Sequence, residues 1–148
     1  MIVGQGSERD WLRANVPNAD LPGVLNGEAL ARAYASMDIF AFPSETDIYG
    51  NVVQEAKACG VPVVVSCAGG PKYLVRHGVD GIVASTHSEF LAAVHLLAQD
   101  EGLRTRIGIA AVAAVQSLSW DAVFDGVYNA YLNLLSPREA VARAAAAG

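Results

Sequence analysis

Apolar and polar positions follow two periods along the chain: short, unbroken β-branched runs, and longer stretches with an apolar residue every third or fourth position. The runs predict strands. Met1-Ile2-Val3 has the pattern of a strand tail, Ala19 to Leu21 of a short strand ending at Pro22-Gly23, and Asp38 to Phe42 of a buried strand ending at Pro43. Val61 to Ser66 is apolar throughout, as in a parallel strand covered on both faces, and Gly81 to Ala84 is the next strand. The longer stretches predict helices. Glu8 to Ala14 is the first, and Gly27 to Ser36, capped by Asn26 with Leu30 and Tyr34 on one face, is the second. Gly50 to Cys59 follows, stopped by Gly60 and Pro62. Pro71 opens a short helix to His77, closed by Gly78. Thr86 and Glu89 form a capping box for a helix through Ala98. Leu103 to Gln116 and Trp120 to Leu135, the latter capped by Ser119, complete the core pattern. Ser136-Pro137-Arg138-Glu139 is a second capping-box signal before an Ala-rich end.

Helices between short buried strands predict an α/β fold: a three-layer, Rossmann-like, doubly wound parallel sheet with helices on both faces. Residues 1–135 are expected to form that domain, and residues 136–148 a C-terminal helical tail. The first strand has only three residues from Met1, so the first βα unit is expected to be missing. The pattern is that of the C-terminal part of a larger protein.

Composition narrows the classes. Of 148 residues, 53% are hydrophobic and 7% aromatic, so the core is expected to consist of Val, Ala, Leu and Ile. A net charge of −5 disfavours nucleic acid as a partner. No apolar run reaches the roughly 18 residues of a transmembrane segment, and Met1-Ile2-Val3 leads straight into Gly4 without a signal peptide. The expected location is cytoplasmic, with peripheral attachment at the inner membrane face as the variant. Cys59 and Cys67 are expected to be reduced, mostly buried thiols. His77, His87 and His95 lack metal-ligand spacing, and no metal site is expected.

The chemistry concentrates between Phe42 and Ser66. A helix opening near Gly50 leaves its first N–H groups free, which with the helix dipole makes an anion site suited to a phosphate. Gly50 lacks a Cβ, so a diphosphate can approach the backbone. Glu55 lies over one turn into the helix, with Asn51 on its face, and a carboxylate there can accept both hydroxyls of a ribose. Asp47, just ahead of the helix, can bond sugar hydroxyls or support positive charge across the site. Taken singly, each has a plainer explanation: a dipole partner, a solvated glutamate, a turn glycine. As one block they are far more specific. Gly4-Gln5-Gly6 is a weaker phosphate-loop candidate.

That block resembles the donor-site signature of the retaining nucleotide-sugar glycosyltransferases of family four, whose fold is GT-B. The matching residues are Phe42-Pro43-Ser44, Asp47, Glu55-Ala56 and Gly60-Val61-Pro62-Val63-Val64, continuing through Ala68-Gly69-Gly70-Pro71 and Gly78-Val79-Asp80-Gly81. Val3-Gly4-Gln5-Gly6, Leu21-Pro22-Gly23 and Ala35-Ser36-Met37-Asp38-Ile39-Phe40 extend it upstream, so that it covers roughly residues 1–135. The resemblance implies the C-terminal, donor-binding half of a GT-B enzyme. Such an enzyme transfers a sugar from a nucleoside-diphosphate sugar to an acceptor hydroxyl with retained configuration, and normally without a metal or other cofactor.

By position it implies Glu55 as ribose ligand and Asp47 as the acid against the donor sugar, the two catalytic candidates. Gly50, Asn51 and Val52 would offer amides to the phosphate or sugar, and Val24 would meet the nucleobase. Tyr49, where Phe is common, and Gly4 and Gly6 complete the donor-binding set. Asp47 is a methylene shorter than the family's usual glutamate. Lys57 stands where Met is common and is expected to be exposed or paired. The family's diphosphate-binding Arg and Lys, and the N-terminal domain that carries the acceptor site, are expected ahead of Met1. Isolated, such a half is expected to bind the nucleotide sugar but transfer poorly. Two alternatives stand beside it: a non-catalytic Rossmann-like module acting through self-association into a homo-oligomer or through a partner chain, and, less well matched, a sugar-nucleotide epimerase.

Overall fold

β-branched runs become strands where both faces of the backbone can be covered. The computed structural model describes residues 1–116 and 118–135, apart from the side chains of Trp120 and Leu135. Three short parallel strands, β1 (Phe40–Phe42), β2 (Val63–Ser66) and β3 (Ile82–Ala84), lie in the order β1-β2-β3. Phe40 stands opposite Val63, and Val64 opposite Ile82. Parallel neighbours require crossovers. Helix α3 (Asn51–Ala58) supplies the first, and a 3-10 helix (Gly70–Leu74) lies in the second.

β2 is central, and its Val63, Val64 and Val65 are 0% exposed. Side chains alternate across a strand, so these valines enter two cores. Val63 and Val65 join Tyr34 of α2 (Gly27–Ala35) and Val53 and Ala56 of α3. Val64 joins Ala93 and Leu97 of α4 (His87–Gln99) and Ile107 of α5 (Glu101–Gln116). The expected three layers, helices on both faces of a parallel sheet, are present. A fully buried valine or leucine contributes roughly 1.5–3 kcal/mol over an exposed one, so the two cores are a large part of what holds the layers together.

The remaining elements are α1 (Arg9–Asn15) and α6 (Trp120–Leu135). Two predicted caps form. Thr86 Oγ1 accepts the Glu89 N–H at 3.1 Å, while Glu89 reaches back to the Ser85 N–H at 2.8 Å. Ser119 Oγ accepts the Ala122 N–H at 3.0 Å. Asn26 holds the N-cap position of α2, but its side chain makes no capping bond. α5 starts at Glu101, ahead of the expected Leu103, and Asp100 accepts the Leu103 N–H at 2.8 Å.

Other expectations need correction. Met1–Val3 and Ala19–Leu21 are not strands. They run beside each other through one parallel bridge, Val3 to Gly23, with the Ile2 N–H on Asp20 O and the Gly4 N–H on Gly23 O, both at 2.8 Å. One isolated bridge does not make a ladder, whereas β1 and β3, equally short, each hold a three-pair register against the buried β2. The helix expected from Pro71 to His77 ends at Leu74 as a 3-10 turn. Beyond it the Arg76 N–H bonds the Asp80 carboxylate at 2.8 Å and His77 bridges Gly81, which removes those residues from a helical ladder. Cys59 is exposed and Cys67 half-buried, contrary to the expected burial.

The chain divides into two compact units. Met1–Val112 holds the sheet and both cores. The second unit begins at Ala113; its described part consists of the end of α5 and all of α6. The capping signal at residues 136–139 and the expected tail at residues 136–148 lie outside the described residues. Among the described residues, no single helix is long and apolar enough to cross a membrane.

Candidate functional site: an acid loop, a helix start and a clamping turn

The chain leaves β1 at Phe42, passes through an exposed loop and enters α3 at Asn51. This puts the start of α3 at the carboxyl end of the parallel sheet, where open α/β folds bind ligands. Gly50 is the N-cap, with φ +83° in the left-handed region and no side chain capping the helix. The Val53 N–H bonds Gly50 O at 2.9 Å, while those of Asn51 and Val52 have no backbone partner among the described residues. Two amides and the positive end of the helix dipole are therefore available to an anion.

Glycine at position 50 has two causes. The backbone needs positive φ, and a Cβ would come within 2.8 Å of Pro71 Cγ. Gly70 is under tighter constraint still: a Cβ there would lie 1.6 Å from Ile48 O. The Gly70 N–H also donates to Asp47 O at 2.8 Å. The Gly69-Gly70-Pro71 turn thus clamps the acid loop and forms one wall of the site.

Asp47 is exposed, and its carboxylate accepts a close hydrogen bond from the Ser44 hydroxyl. The Asp47 N–H points back to Ser44 Oγ at 3.3 Å. The side chain is thereby oriented by the Pro43-Ser44 corner, and its other oxygen has no hydrogen bond among the described residues. Glu55 is exposed on α3, and its Oε2 accepts the Tyr34 hydroxyl at 2.9 Å. Burial first, and then the neighbouring Glu55, push the Tyr34 phenol well above its ordinary value; it remains a donor through the physiological range.

Asp47, Gly50, Asn51, Val52 and Glu55 thus share one loop and one helix. The more distant candidates join them only in part. Gly4 meets the Gly23 turn through its N–H, which brings the Gly4 turn and the loop holding Val24 together. Val24 and Gly6 are exposed, and Tyr49 is 54% exposed beside the clamp. A cavity of about 670 Å3 lies between Met1–Val3 and Ser36–Phe42, beside the edge of β1 that no described strand covers. Val52, Glu55 and Tyr34 line it, but Asp47, Gly50, Asn51, Val24, Gly4 and Gly6 do not. It adjoins the helix-start site and is distinct from the anion position.

Sequence reasoning did not identify a buried ionic cluster behind the site. Lys57, expected to be exposed or paired, is 2% exposed and paired. Its Nζ donates to Leu74 O at 2.6 Å and lies 3.2 Å from Asp80 Oδ1. Arg76 Nε binds Asp80 Oδ2 at 2.6 Å. Burial alone would raise the Asp80 carboxyl; the Arg76 side chain and backbone N–H, with Lys57, outweigh it and hold that carboxyl below its ordinary value. The cluster ties α3 to the segment between the 3-10 turn and β3, and so keeps the clamp against the helix start. The available signal was weak: a lysine at an otherwise apolar helix position, and an aspartate between two turn glycines.

Against known proteins, the sequence pattern of the family described as Glycosyl transferases group 1 matches residues 1–100. The chain belongs to that family. Among its relatives is the GDP-mannose-dependent alpha-mannosyltransferase of Mycolicibacterium smegmatis, 43% identical over 150 aligned positions. That match covers 95% of this chain but 38% of the relative, so this group 1 chain spans well under half the relative's length. Anabaena HepE, solved in complex with UDP, superposes with a TM-score of 0.68 at 26% identity, over 90% of this chain and 40% of that one. The C-terminal domain of a glycosyl transferase group 1 family protein from Francisella tularensis superposes with a TM-score of 0.58 at 17% identity. It covers 76% of this chain and 64% of that one, and shares the fold. The GT-B-type α/β fold expected from the sequence is thus present.

Proposed function

We propose that this group 1 chain is the donor-binding part of a retaining glycosyltransferase, which moves a sugar from a nucleoside-diphosphate sugar to an acceptor hydroxyl. The observation that carries this reading is the joining of the uncapped start of α3 to Glu55 on the same helix, inside the segment that matches the family. The amides of Asn51 and Val52 take the diphosphate, whose negative charge grows as the bond to the sugar breaks. Glu55 accepts the ribose hydroxyls, and Asp47, oriented by Ser44, meets the donor sugar. Val24, Gly4 and Gly6 flank the nucleoside, and Tyr49 the clamp side. Phosphate binding rests on amides and the helix dipole, and no metal takes part.

The name of the mannosyltransferase relative makes GDP-mannose the first donor to test, and the HepE complex makes UDP the second nucleotide. Calorimetry of this chain with millimolar GDP-mannose, GDP, UDP and ADP derivatives is expected to give weak binding of at least one, unchanged by EDTA. Transfer alone is expected to be poor, because catalysis needs both substrates held together. Absence of any heat of binding would remove the reading.

The uncovered edge of β1 and its adjoining cavity favour a second reading, a non-catalytic module that associates through that edge. Gel filtration at high protein concentration separates the two: a monomer throughout contradicts self-association.

A further inference from the structure

We propose that Tyr34 is a positioning residue for Glu55, holding its carboxylate in the orientation that receives the vicinal hydroxyls of a ribose. The inference rests on the donor-site reading above and adds a residue to it from a different part of the chain. Glu55 is exposed, and a long side chain in that setting samples several rotamers. One of its oxygens is nevertheless held by a group with little freedom. Tyr34 is 6% exposed, and its ring belongs to the core that contains Val53 and Ala56 of the same helix as Glu55. The ring also meets Phe40 of β1 at a centroid separation of 5.8 Å and a tilt of 58°. A ring held from two sides fixes where its hydroxyl ends, 2.9 Å from Glu55 Oε2.

The consequences are geometric. Oε2 is occupied on one side by a donor that stays protonated, while Oε1 has no bond among the described residues. The position of Oε2 is thereby tied to a core side chain on α2, and Oε1 is left for the ligand. A diol then meets an acceptor already oriented, which lowers the ordering cost of binding. The feature that positions Glu55 is thus the packing of α2 against α3.

The test is calorimetry on the full chain, with GDP and 2′,3′-dideoxy-GDP as probes and the UDP pair run in parallel. The unsubstituted chain is expected to prefer the ribose form by about tenfold, the scale of one hydrogen bond to a charged acceptor. Tyr34→Phe keeps the ring and removes one oxygen. It is expected to lose most of that preference while binding the dideoxy form within about twofold of the unsubstituted chain. A merely structural role would weaken both probes alike. An unsubstituted chain that does not distinguish the probes sinks the donor-site reading, and the inference with it. A chain that distinguishes them equally well with Phe at this position sinks the inference alone. Should the Phe variant not fold, the Tyr34 ring resonances of the unsubstituted chain supply the answer. They should shift with the ribose probe and much less with the dideoxy probe, and equal shifts overturn the proposal.

Discussion

Asp80 is where a single residue bears most on the architecture. It is 1% exposed and accepts from the Arg76 backbone, the Arg76 side chain and Lys57. Removing one member of a buried ion pair leaves the other uncompensated, at a cost of about 3–5 kcal/mol. Asp80→Asn is expected to lower stability by about that much in urea unfolding. Adding Lys57→Met to it is expected to recover part of the loss, since an apolar side chain there leaves no stranded charge. The sign of the pH effect follows from the depressed carboxyl. The pair stabilises the fold above the unfolded value, near 4, and that stability is lost as pH falls through the lower folded value. Asp80→Asn should therefore flatten the acid limb of the stability profile. At Gly70 the expectation is local: Gly70→Ala must displace Ile48 O, so the clamp opens. Nucleotide affinity should fall several-fold with little loss of secondary structure by circular dichroism.

Among the elements, α3 carries the candidate chemistry and α4 carries structure only. Leu97→Ala on α4 empties a fully buried site in the second core and is expected to cost about 2–5 kcal/mol. Nucleotide affinity of the folded fraction should be unchanged, because that core lies across the sheet from α3. The elements also show what was legible in the sequence. The unbroken run Val61 to Ser66 was legible as a strand covered on both faces, and its part Val63–Ser66 is the central strand. The Thr86–Glu89 box and the Ser119 cap appeared because their partners lie within three or four residues. Asn26 marks a helix start without bonding it, since residue type sets only a preference for the N-cap. The strands expected at Met1–Val3 and Ala19–Leu21 failed because pairing depends on neighbours that a local pattern does not reveal.

For the molecule as a whole, the legible part of the site was the contiguous block from Phe42 to Glu55. Its spacing follows from one loop running into one helix. The supporting contacts were not legible, because they join distant positions: Tyr34 to Glu55, Lys57 to Asp80, Asp47 to Gly70. Each needs the sheet to be assembled before its members meet. The family match and the α/β fold agree with the opening block, while the identity of donor and acceptor belongs to the proposal. In that proposal Glu55 and the start of α3 form one nucleotide site. The most direct measurement is the affinity of GDP and UDP, by calorimetry, for the unsubstituted chain and for Glu55→Ala. Measurable binding to the former is expected, with at least about tenfold weaker binding to the variant, the loss of a hydrogen bond to a charged acceptor. Equal affinities, or no binding of either nucleotide at millimolar concentration, would contradict it.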